Sequence, residues 1–421
     1  MGRNFTGSGL VDGNIGTDPN AVYNSGQLFV NSSGVAFWKL NDGTNDGWYE
    51  VGLLKFVKGK GYEGSIAMGQ SHAAIIKADG HVWTVGYNAS GQLGIGTTVN
   101  QTVFQDTGVV AHSVYCGDLN TMAIKADGSL WCTGYNATGQ LGLDCTIPKT
   151  TFQNTGVTAS SVYATDRYTA IIRPDNSLWV SGDNGIGMFA FASANHSIFQ
   201  DSGLFAISAS VAPTFMALVK PDGTVWAFGQ NAYGQLGQGD TVAYLNPTQL
   251  STWIGAVATK VVCGDYSTHV LLNDGRVFAC GYNLHGQLGL GTTADYWGLI
   301  QSSDTTGALT GVASIECGRD HVAVTKTDGS LWMCGDNMYG QLGLGNTIDQ
   351  SKFQPVGVNV SYVNCYNTKT AVIKTDGTLW AAGYSGHSDL MGISTSPTSL
   401  TNSGEVPKFS VDTNTLDPNL L

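Results

Sequence analysis

The stretch GYNASGQLGIGTT, residues 86–98, holds four glycines and no charged residue, and the chain repeats it four more times with small changes. Glycine permits positive φ and close backbone approach, so this composition predicts a compact loop. No Lys-Ser/Thr pair follows and no helix is indicated, which argues against a phosphate-binding loop. The further copies are GYNATGQLGLDCT from Gly134, GQNAYGQLGQGDT from Gly229, GYNLHGQLGLGTT from Gly281 and GDNMYGQLGLGNT from Gly335.

Each copy carries the tetrapeptide Gly-Gln-Leu-Gly. We expect its glutamine amide to bond backbone groups that a tight loop leaves unpaired, and its leucine to fill space between repeats. The residues concerned are Gly91, Gln92, Leu93, Gly94, Gly139, Gln140, Leu141, Gly142, Gly234, Gln235, Leu236, Gly237, Gly286, Gln287, Leu288, Gly289, Gly340, Gln341, Leu342 and Gly343.

A second signature lies upstream of the first, as in IIKADGHVW ending at Trp83, and it occurs seven times at spacings of 47 to 54 residues. An apolar run, Asp-Gly and a second apolar run predict a β-hairpin. The runs are apolar at consecutive positions, so both faces of each small sheet should be covered. Repeats of this length without helical periodicity predict an all-β, seven-bladed β-propeller. An open solenoid would need polar end repeats, which are missing from the sequence.

A third phrase lies between repeats, as in FQDTGV from Phe104, and it has faint echoes near both ends of the chain. The echoes are WYEVGL from Trp48 and LTNSGEV from Leu400. Propeller rings are often shut by strands from both termini that complete one blade, so either echo is a candidate closing strand.

The combined pattern, G-x-N-x-x-G-Q-L-G-x-G after an apolar-D-G-x-x-W hairpin, resembles the regulator of chromosome condensation repeat. The resemblance covers roughly residues 60 to 400 and implies a seven-bladed propeller. The third repeat, from Gly182, and the seventh, from Gly383, depart from the motif and predict altered loops.

The sequence divides into an attachment segment of short strands (1–60), the propeller (61–410) and a C-terminal tail (411–421). Within the first segment, GQLFVNSSGVAFWKLNDGTNDGWYEVG from Gly26 resembles hairpin modules of bacteriophage fibre proteins. That resemblance implies a role in joining a virion to a more distal part.

Composition excludes several classes of function. The net charge of −12 disfavours nucleic acid, whose binding depends on basic side chains. No apolar run is long enough for membrane insertion and no signal peptide begins the sequence, so synthesis in a host cytoplasm is expected. The eight cysteines lack a C-x-x-C pair, and seven of them recur at repeat positions typical of buried free thiols, while Cys145 lies in a loop. No catalytic, cofactor-binding or metal-binding pattern is present, so we expect no cofactor and no enzyme.

Two sets of residues are candidates for binding. Polar residues at the same place in successive repeats should gather near one mouth of the channel, where they bind a cation or polar ligand or are simply solvated. They are Asp118, Asp166, Arg167, Asp265, Tyr266, Arg319 and Asp320. Longer spacings around 244–253 and 296–309 predict loops decorated with aromatic side chains, which are common on binding surfaces. Trp253, Tyr296 and Trp297 are the contact candidates there, although burial against a blade explains them equally well.

The leading functional hypothesis is a bacteriophage virion appendage, such as a tail fibre or receptor-binding protein, whose propeller loops bind host-surface glycan or protein. Its N-terminal segment would bind other virion proteins, and several copies on a particle would add avidity. The alternatives are a structural capsid or tail decoration protein without a receptor, a bacterial protein-binding propeller, and a polysaccharide hydrolase. The acidic chain lacks the basic tail of the family's chromatin-bound exchange factor, which disfavours that role.

Overall fold

The structure, a computed structural model, describes residues 66–77, 79–184, 195–251, 256–384 and 398–403, and the backbone of five N-terminal strands. The chain forms two compact units, Met1–Gly61 and Tyr62–Leu421. The first contains an antiparallel five-stranded sheet in the order β2-β1-β3-β4-β5. Its strands are β1 (Gly2–Thr6), β2 (Gly9–Gly13), β3 (Leu28–Val30), β4 (Val35–Lys39) and β5 (Trp48–Leu53). The predicted tail, 411–421, lies outside the described residues.

The second unit is a β-propeller of seven antiparallel sheets, which we number as blades 1 to 7 in chain order. All regular elements among its described residues are strands. Blades 1 to 3 are β6 (Ile66–Met68), β7 (His72–Ile76), β8 (His81–Gly86), β9 (Gln101–Val110); β10 (Ser113–Cys116), β11 (Asn120–Ile124), β12 (Ser129–Gly134), β13 (Lys149–Thr158); and β14 (Ser161–Ala164), β15 (Tyr168–Ile172), β16 (Ser177–Gly182), β17 (His196–Phe205).

Blades 4 to 7 follow the same order of four strands. They are β18 (Ser208–Val211), β19 (Phe215–Val219), β20 (Val225–Gly229), β21 (Tyr244–Gln249); β22 (Ala258–Cys263), β23 (Ser267–Leu272), β24 (Val277–Gly281), β25 (Tyr296–Gln301); β28 (Val312–Cys317), β29 (His321–Lys326), β30 (Leu331–Gly335), β31 (Gln350–Gly357); and β32 (Val360–Tyr366), β33 (Lys369–Lys374), β34 (Leu379–Gly383), β35 (Thr401–Asn402). The seven-bladed, all-β prediction is confirmed.

The apolar core of the described propeller consists of seven clusters, one at each junction between neighbouring blades. Alternate side chains of one strand supply two junctions, because successive residues of a strand point to opposite faces. Ile75 packs between blades 7 and 1, whereas Ile76 packs between blades 1 and 2. Consecutive apolar residues in each repeat therefore cover both faces of each blade, as the sequence predicted.

The seven hairpins, six with Asp-Gly and one with Asp175-Asn176, share a further type of contact at the end of the blade where they turn. In blade 2, the ammonium of Lys125 lies 3.6 Å from the centroid of the Trp131 ring. The indole Nε1 donates to the Ser129 hydroxyl, which in turn donates to Asp127. Equivalent cation–π pairs occur in five of the other six blades, whereas in blade 5 the cation is Arg276, which follows Asp-Gly and lies 5.6 Å from the Phe278 ring centroid. The basic residue two positions before Asp-Gly is thus part of the hairpin.

Ring closure differs from the sequence-based expectation. The echo at Leu400 supplies β35, the outer strand of blade 7, whereas the echo at Trp48 forms β5 of the N-terminal sheet. Among the described strands, each blade comes from one continuous stretch and none combines strands from both termini. The ring is shut by packing between blades 7 and 1, and the Met68 amide donates to the Asn364 side chain at 3.1 Å.

The structure also differs from the prediction of two loops that carry aromatic side chains. Residues 244–249 and 296–301 are the outer strands β21 and β25, not loops. The extra residues after β25 form a small hairpin, β26 (Ser303–Asp304) and β27 (Gly307–Ala308), which extends the edge of blade 6. Lys326 of blade 6 holds this hairpin through a 2.7 Å ion pair with the buried Asp304.

Candidate binding face

The repeated glycine-rich loops and the short turns after the first strand of each blade lie at the same end of the propeller. In blade 1, the amide of Tyr87 in the loop donates to the carbonyl of Ser71 in the turn at 2.7 Å. We call this end the loop face. The hairpins described above lie at the opposite end of each blade.

An asparagine and the glutamine hold each glycine-rich loop. In blade 1, Asn88 Oδ1 accepts from the Leu93 amide at 2.9 Å, and Asn88 Nδ2 donates to the Thr97 carbonyl. Gln92 Oε1 accepts from the Ser90 amide at 3.0 Å. The asparagine and glutamine acceptor bonds recur in all five motif copies. The loop is therefore a self-bonded unit whose conformation does not depend on the variable side chains.

Each loop also packs closely against the next blade. Gly91 has a φ of +79°, and a Cβ there would lie 2.6 Å from the carbonyl oxygen of Lys149 in blade 2. A Cβ on Gly94 would lie 2.6 Å from the ring of Phe152, which belongs to the repeated FQ phrase. Leu93 is fully buried. The repeated sequence phrases thus meet across the blade junction, and the motif is scaffold.

The turns carrying the predicted polar residues form a ring around the centre of the loop face. Backbone bonds join successive turns, such as Gln70 N to Asp118 O and Arg319 N to Asn367 O. Tyr366 of blade 7 donates to the Asp118 carboxylate, and buried Lys369 donates to the Gln70 carbonyl. Polar groups of these turns therefore bond to blade 7 and help to close the propeller.

Burial shifts the carboxylates of the ring toward their neutral form. Burial and the charges of Asp166 and Asp265 raise the pKa of Asp118 to about 7. Burial and Asp320 raise the pKa of Asp265 to about 6, against the opposing effect of Arg319. Burial lowers the pKa of Lys369 to about 8.

The two predicted arginines of the ring are paired with carboxylates. Arg167 lies 2.7 Å from Asp183, and Arg319 lies 2.8 Å from Asp320. Asp320 also accepts from the side chain of Gln287. The Arg167–Asp183 and Gln287–Asp320 contacts each tie a turn to a glycine-rich loop, whereas Arg319 and Asp320 are neighbours within one turn.

Buried histidines near the ring are structural. His72 Nε2 lies 2.9 Å from the Thr121 hydroxyl of the next blade, and His321 Nε2 lies 3.0 Å from Thr370. Burial and Lys369 lower the pKa of His72 to about 3, and burial lowers that of His321 to about 4. Both imidazoles are neutral at physiological pH and link blades.

An aromatic cluster lies on the loop face between blades 4 and 5. It consists of Tyr233, Tyr266, Tyr282 and His285. The Tyr233 ring centroid lies 5.1 Å from that of Tyr266 and 5.0 Å from that of Tyr282. These rings contact one another in tilted or edge-on geometry, so they hold each other rigidly while Tyr266 stays 39% exposed.

Two predicted contact residues extend this cluster outward along β25. Trp297 packs over Gly234, where a Cβ would lie 2.6 Å from the indole ring. Equivalent positions carry Thr150, Ser197, Ser351 and Thr398. Trp297 is 51% exposed and Tyr296 is 44% exposed, so neither is buried against a blade. Trp253 lies outside the described residues.

The other half of the loop face has the same backbone without this cluster. Ser90 in blade 1 and Thr138 in blade 2 occupy the place of Tyr233 and His285. Tyr87 and Tyr135 are present there, but neither has an aromatic neighbour among the described residues. The sequence motif is constant around the ring, and its aromatic substitutions are confined to one side.

Comparison with known proteins agrees with this fold. The family model described as "RCC1-like domain" matches residues 100–411, and that of the "regulator of chromosome condensation (RCC1) repeat" matches residues 65–92. The chain therefore belongs to the RCC1-like domain family. No helix in the described part of the chain is long and apolar enough to cross a membrane.

Curated relatives match only part of the chain. It is similar to the X-linked retinitis pigmentosa GTPase regulator of Mus musculus, with 38% identity over 26% of this chain and 11% of the relative. The secretion-regulating guanine nucleotide exchange factor of Bos taurus is 33% identical over 26% of this chain and 24% of its own length. The ultraviolet-B receptor UVR8 of Arabidopsis thaliana is 32% identical over 28% and 26%, respectively.

Solved structures share the fold at low identity. Prp20p of Saccharomyces cerevisiae, described with its binding to Gsp1p and histones, has a TM-score of 0.63 and 15% identity, and the match covers 72% of this chain and 80% of that one. Human WBSCR16 has a TM-score of 0.63 and 21% identity, covering 76% and 87%. These similarities establish the propeller.

Sequence reasoning missed several members of the site. Tyr233, Tyr282 and His285 lie inside the repeated motif, at positions where its copies differ. Tyr366 and Lys369 belong to blade 7, whose place beside blade 1 follows only from ring closure. A comparison of the copies position by position would have found Tyr233 and His285, because Ser90 and Thr138 stand at the same place.

Proposed function

We propose that this chain is a non-catalytic recognition protein whose aromatic cluster binds a macromolecular partner. The observation that carries this proposal is the difference between equivalent loops: one backbone carries small polar side chains on one side of the ring and contacting tyrosines on the other. Tyrosine and tryptophan are enriched in binding hot spots because they offer large contact areas at low entropic cost.

The surrounding geometry supports binding without chemistry. Two of the ring carboxylates, Asp118 and Asp320, are engaged with Tyr366, Arg319 and Gln287. Names of two relatives, a GTPase regulator and a guanine nucleotide exchange factor, describe proteins that act on protein partners. Recognition of a protein or glycan surface by a rigid propeller is the corresponding proposal for this chain.

More specifically, we propose that the chain is a virion appendage of a bacteriophage, made in the host cytoplasm, and that the loop face binds host-surface glycan or protein. The support is the resemblance of residues 26–52 to fibre hairpin modules and the low charge of the chain. The compact N-terminal unit, Met1–Gly61, would bind other virion proteins. Repeated copies on a particle would convert weak contacts into stable attachment.

The test is adsorption of the labelled full chain to intact cells of candidate hosts. The triple variant Tyr233→Ser, Tyr266→Ser, Tyr282→Gln introduces residues found at equivalent positions, namely Ser90, Ser71 and Gln230. We expect it to adsorb at least about tenfold more weakly, since each hot-spot aromatic contributes about 1 kcal/mol or more. Its melting temperature should stay close to that of the parent.

The matched control is Ser90→Tyr with Thr138→Tyr, which adds aromatics to the opposite half of the face. This control should adsorb like the parent. Equal adsorption by parent and triple variant would contradict the proposed binding face. Adsorption to no host, with the chain located on particles, would favour the structural decoration protein. Release of sugar fragments from host envelope would favour the polysaccharide hydrolase.

A further inference from the structure

The junction of blades 5 and 6 brings together three side chains suited to a metal ion. His285 comes from the glycine-rich loop of blade 5, Asp336 follows β30 and Asp349 precedes β31. One donor atom of each lies within 4.8 Å of the other two. The three donors are therefore a small inward adjustment from a common coordination sphere, since zinc–nitrogen and zinc–oxygen bonds are about 2.0–2.2 Å long.

Asp336 is the unusual member of this group. Its residue is only 4% exposed. Oδ1 accepts from the Met338 amide at 2.9 Å, and the second oxygen has no hydrogen-bond donor among the described residues. Its counterpart in blade 3, Asp183, pairs with Arg167 at 2.7 Å, but Asp336 forms no ion pair in the described structure. The second oxygen of Asp336 is therefore available as a ligand for a cation.

Asp349 is held in place by the loop that it caps. Its Oδ1 accepts from the Asn337 amide at 2.8 Å, while Oδ2 faces His285 Nδ1 at 2.7 Å. Asn100 in blade 1 and Asp295 in blade 5 provide the same cap. An asparagine is therefore sufficient for the cap, so the charge of Asp349 is not required by the loop.

Among the described blade junctions, only one brings a histidine close to two aspartates. Asp295 makes the same cap, but the residue equivalent to His285 in the preceding blade is Tyr233. Asn195 makes the same cap in blade 3, and the residue equivalent to His285 in blade 2 is Thr138. Only the junction of blades 5 and 6 therefore combines an imidazole with two carboxylates in the described propeller.

We propose that His285, Asp336 and Asp349 form a binding site for a divalent transition-metal ion, with Zn²⁺ as the representative ion. An imidazole with two carboxylates favours zinc and its neighbours over calcium or magnesium, which prefer all-oxygen sites. Arg319 is the cation whose charge acts on Asp336, and it is already paired with Asp320 at 2.8 Å. The two carboxylates would balance the charge of the ion.

The site lies next to the aromatic cluster, because His285 belongs to both. The His285 ring centroid is 6.5 Å from that of Tyr282. A metal bound there would fasten the loop of blade 5 to blade 6 and fix the orientation of His285. This inference stands independently of whether the aromatic cluster binds a host surface.

The test is calorimetric titration of the chelator-treated full chain with Zn²⁺ alone. A Cys145→Ser background removes a thiol in a glycine-rich loop that is a competing zinc ligand. We expect one ion per chain, with affinity reduced at least about tenfold by Asp349→Asn, Asp336→Asn or His285→Ser. Asp295→Asn is the matched control and should bind like the parent. Ca²⁺ should bind far more weakly than Zn²⁺.

Circular dichroism and melting without added metal would establish that each variant is folded. Saturable zinc binding should also raise the melting temperature of the parent but not of Asp349→Asn. The proposal is overturned if Zn²⁺ fails to bind, if Asp349→Asn and His285→Ser bind like the parent, or if Asp295→Asn loses as much affinity as Asp349→Asn.

Discussion

Two halves of the loop face share one backbone and carry different side chains. The loops of blades 1 and 5 have nearly the same φ at Gly91 and Gly286, +79° and +78°, and the same asparagine and glutamine bonds. Only the second half presents the contacting rings of the aromatic cluster. The constant residues therefore explain the fold, and the variable residues at constant positions indicate where binding occurs.

The largest expected effect tests whether the glycine-rich loops of both halves pack against the next blade in the same way. Gly91→Ala and Gly286→Ala each place a Cβ within 2.6 Å of backbone atoms of the next blade, at positive φ. We expect each to lower the free energy of unfolding by about 3 kcal/mol or more, from strain and overpacking together. Denaturant unfolding measures this, and a large loss at only one of the two sites would break the equivalence.

A smaller effect is expected at the ring between the two halves, where Asp118 has a pKa raised to about 7 from 3.8. A raised folded-state pKa means that ionisation opposes folding, so stability is lost as pH rises from about 4 to 7. Asp118→Asn removes this loss and keeps an acceptor for Tyr366. We expect the variant to be stabilised by about 1–3 kcal/mol more at pH 8 than at pH 5.

The corresponding measurement is thermal or denaturant unfolding of parent and variant at both pH values. An equal difference at pH 5 and pH 8 would show that burial of the Asp118 carboxylate does not affect stability. Asp118 takes part in none of the ring contacts of the aromatic cluster, so adsorption by this variant should match that of the parent.

The smallest effect is expected at the hairpin end, where six of the seven blades have the same cation–π pair. Lys125→Met and Lys220→Met each remove an ammonium that lies 3.6 or 3.4 Å from a tryptophan ring centroid. We expect each to reduce stability by about 0.5–1 kcal/mol and to leave adsorption unchanged. Unequal losses of stability, or loss of adsorption in either variant, would place function at this end.

Much of the architecture was predictable because the glycine, tryptophan and turn residues of the repeat determine the structure close to them in sequence. Seven hairpin signals, six with Asp-Gly and one with Asp-Asn, predict seven blades, and fully buried residues such as Ile75 and Leu93 follow from the apolar pattern. Ring closure was not predictable, because the join between blades 7 and 1 depends on packing between residues nearly three hundred positions apart.

The site was harder to predict than the scaffold. Tyr266 and Trp297 were candidates, but the tyrosines inside the repeated motif and the meeting of His285 with Asp336 and Asp349 require knowledge of which loops are neighbours. The ring of Asp118, Asp166 and Asp265 stays a predicted binding site, and the bond from Tyr366 to Asp118 also joins this ring to blade 7.

The most direct test of the account is backbone hydrogen exchange of the full chain, free and bound to envelope of a host to which it adsorbs. The equivalent loops 86–98 and 281–293 should exchange at similar rates in the free chain, because their backbone bonds are the same. Binding should slow exchange in 281–293 and in the turn at Tyr266, and leave 86–98 unchanged. Equal protection of both loops, or protection of 86–98 alone, would contradict the assignment of binding to the aromatic cluster.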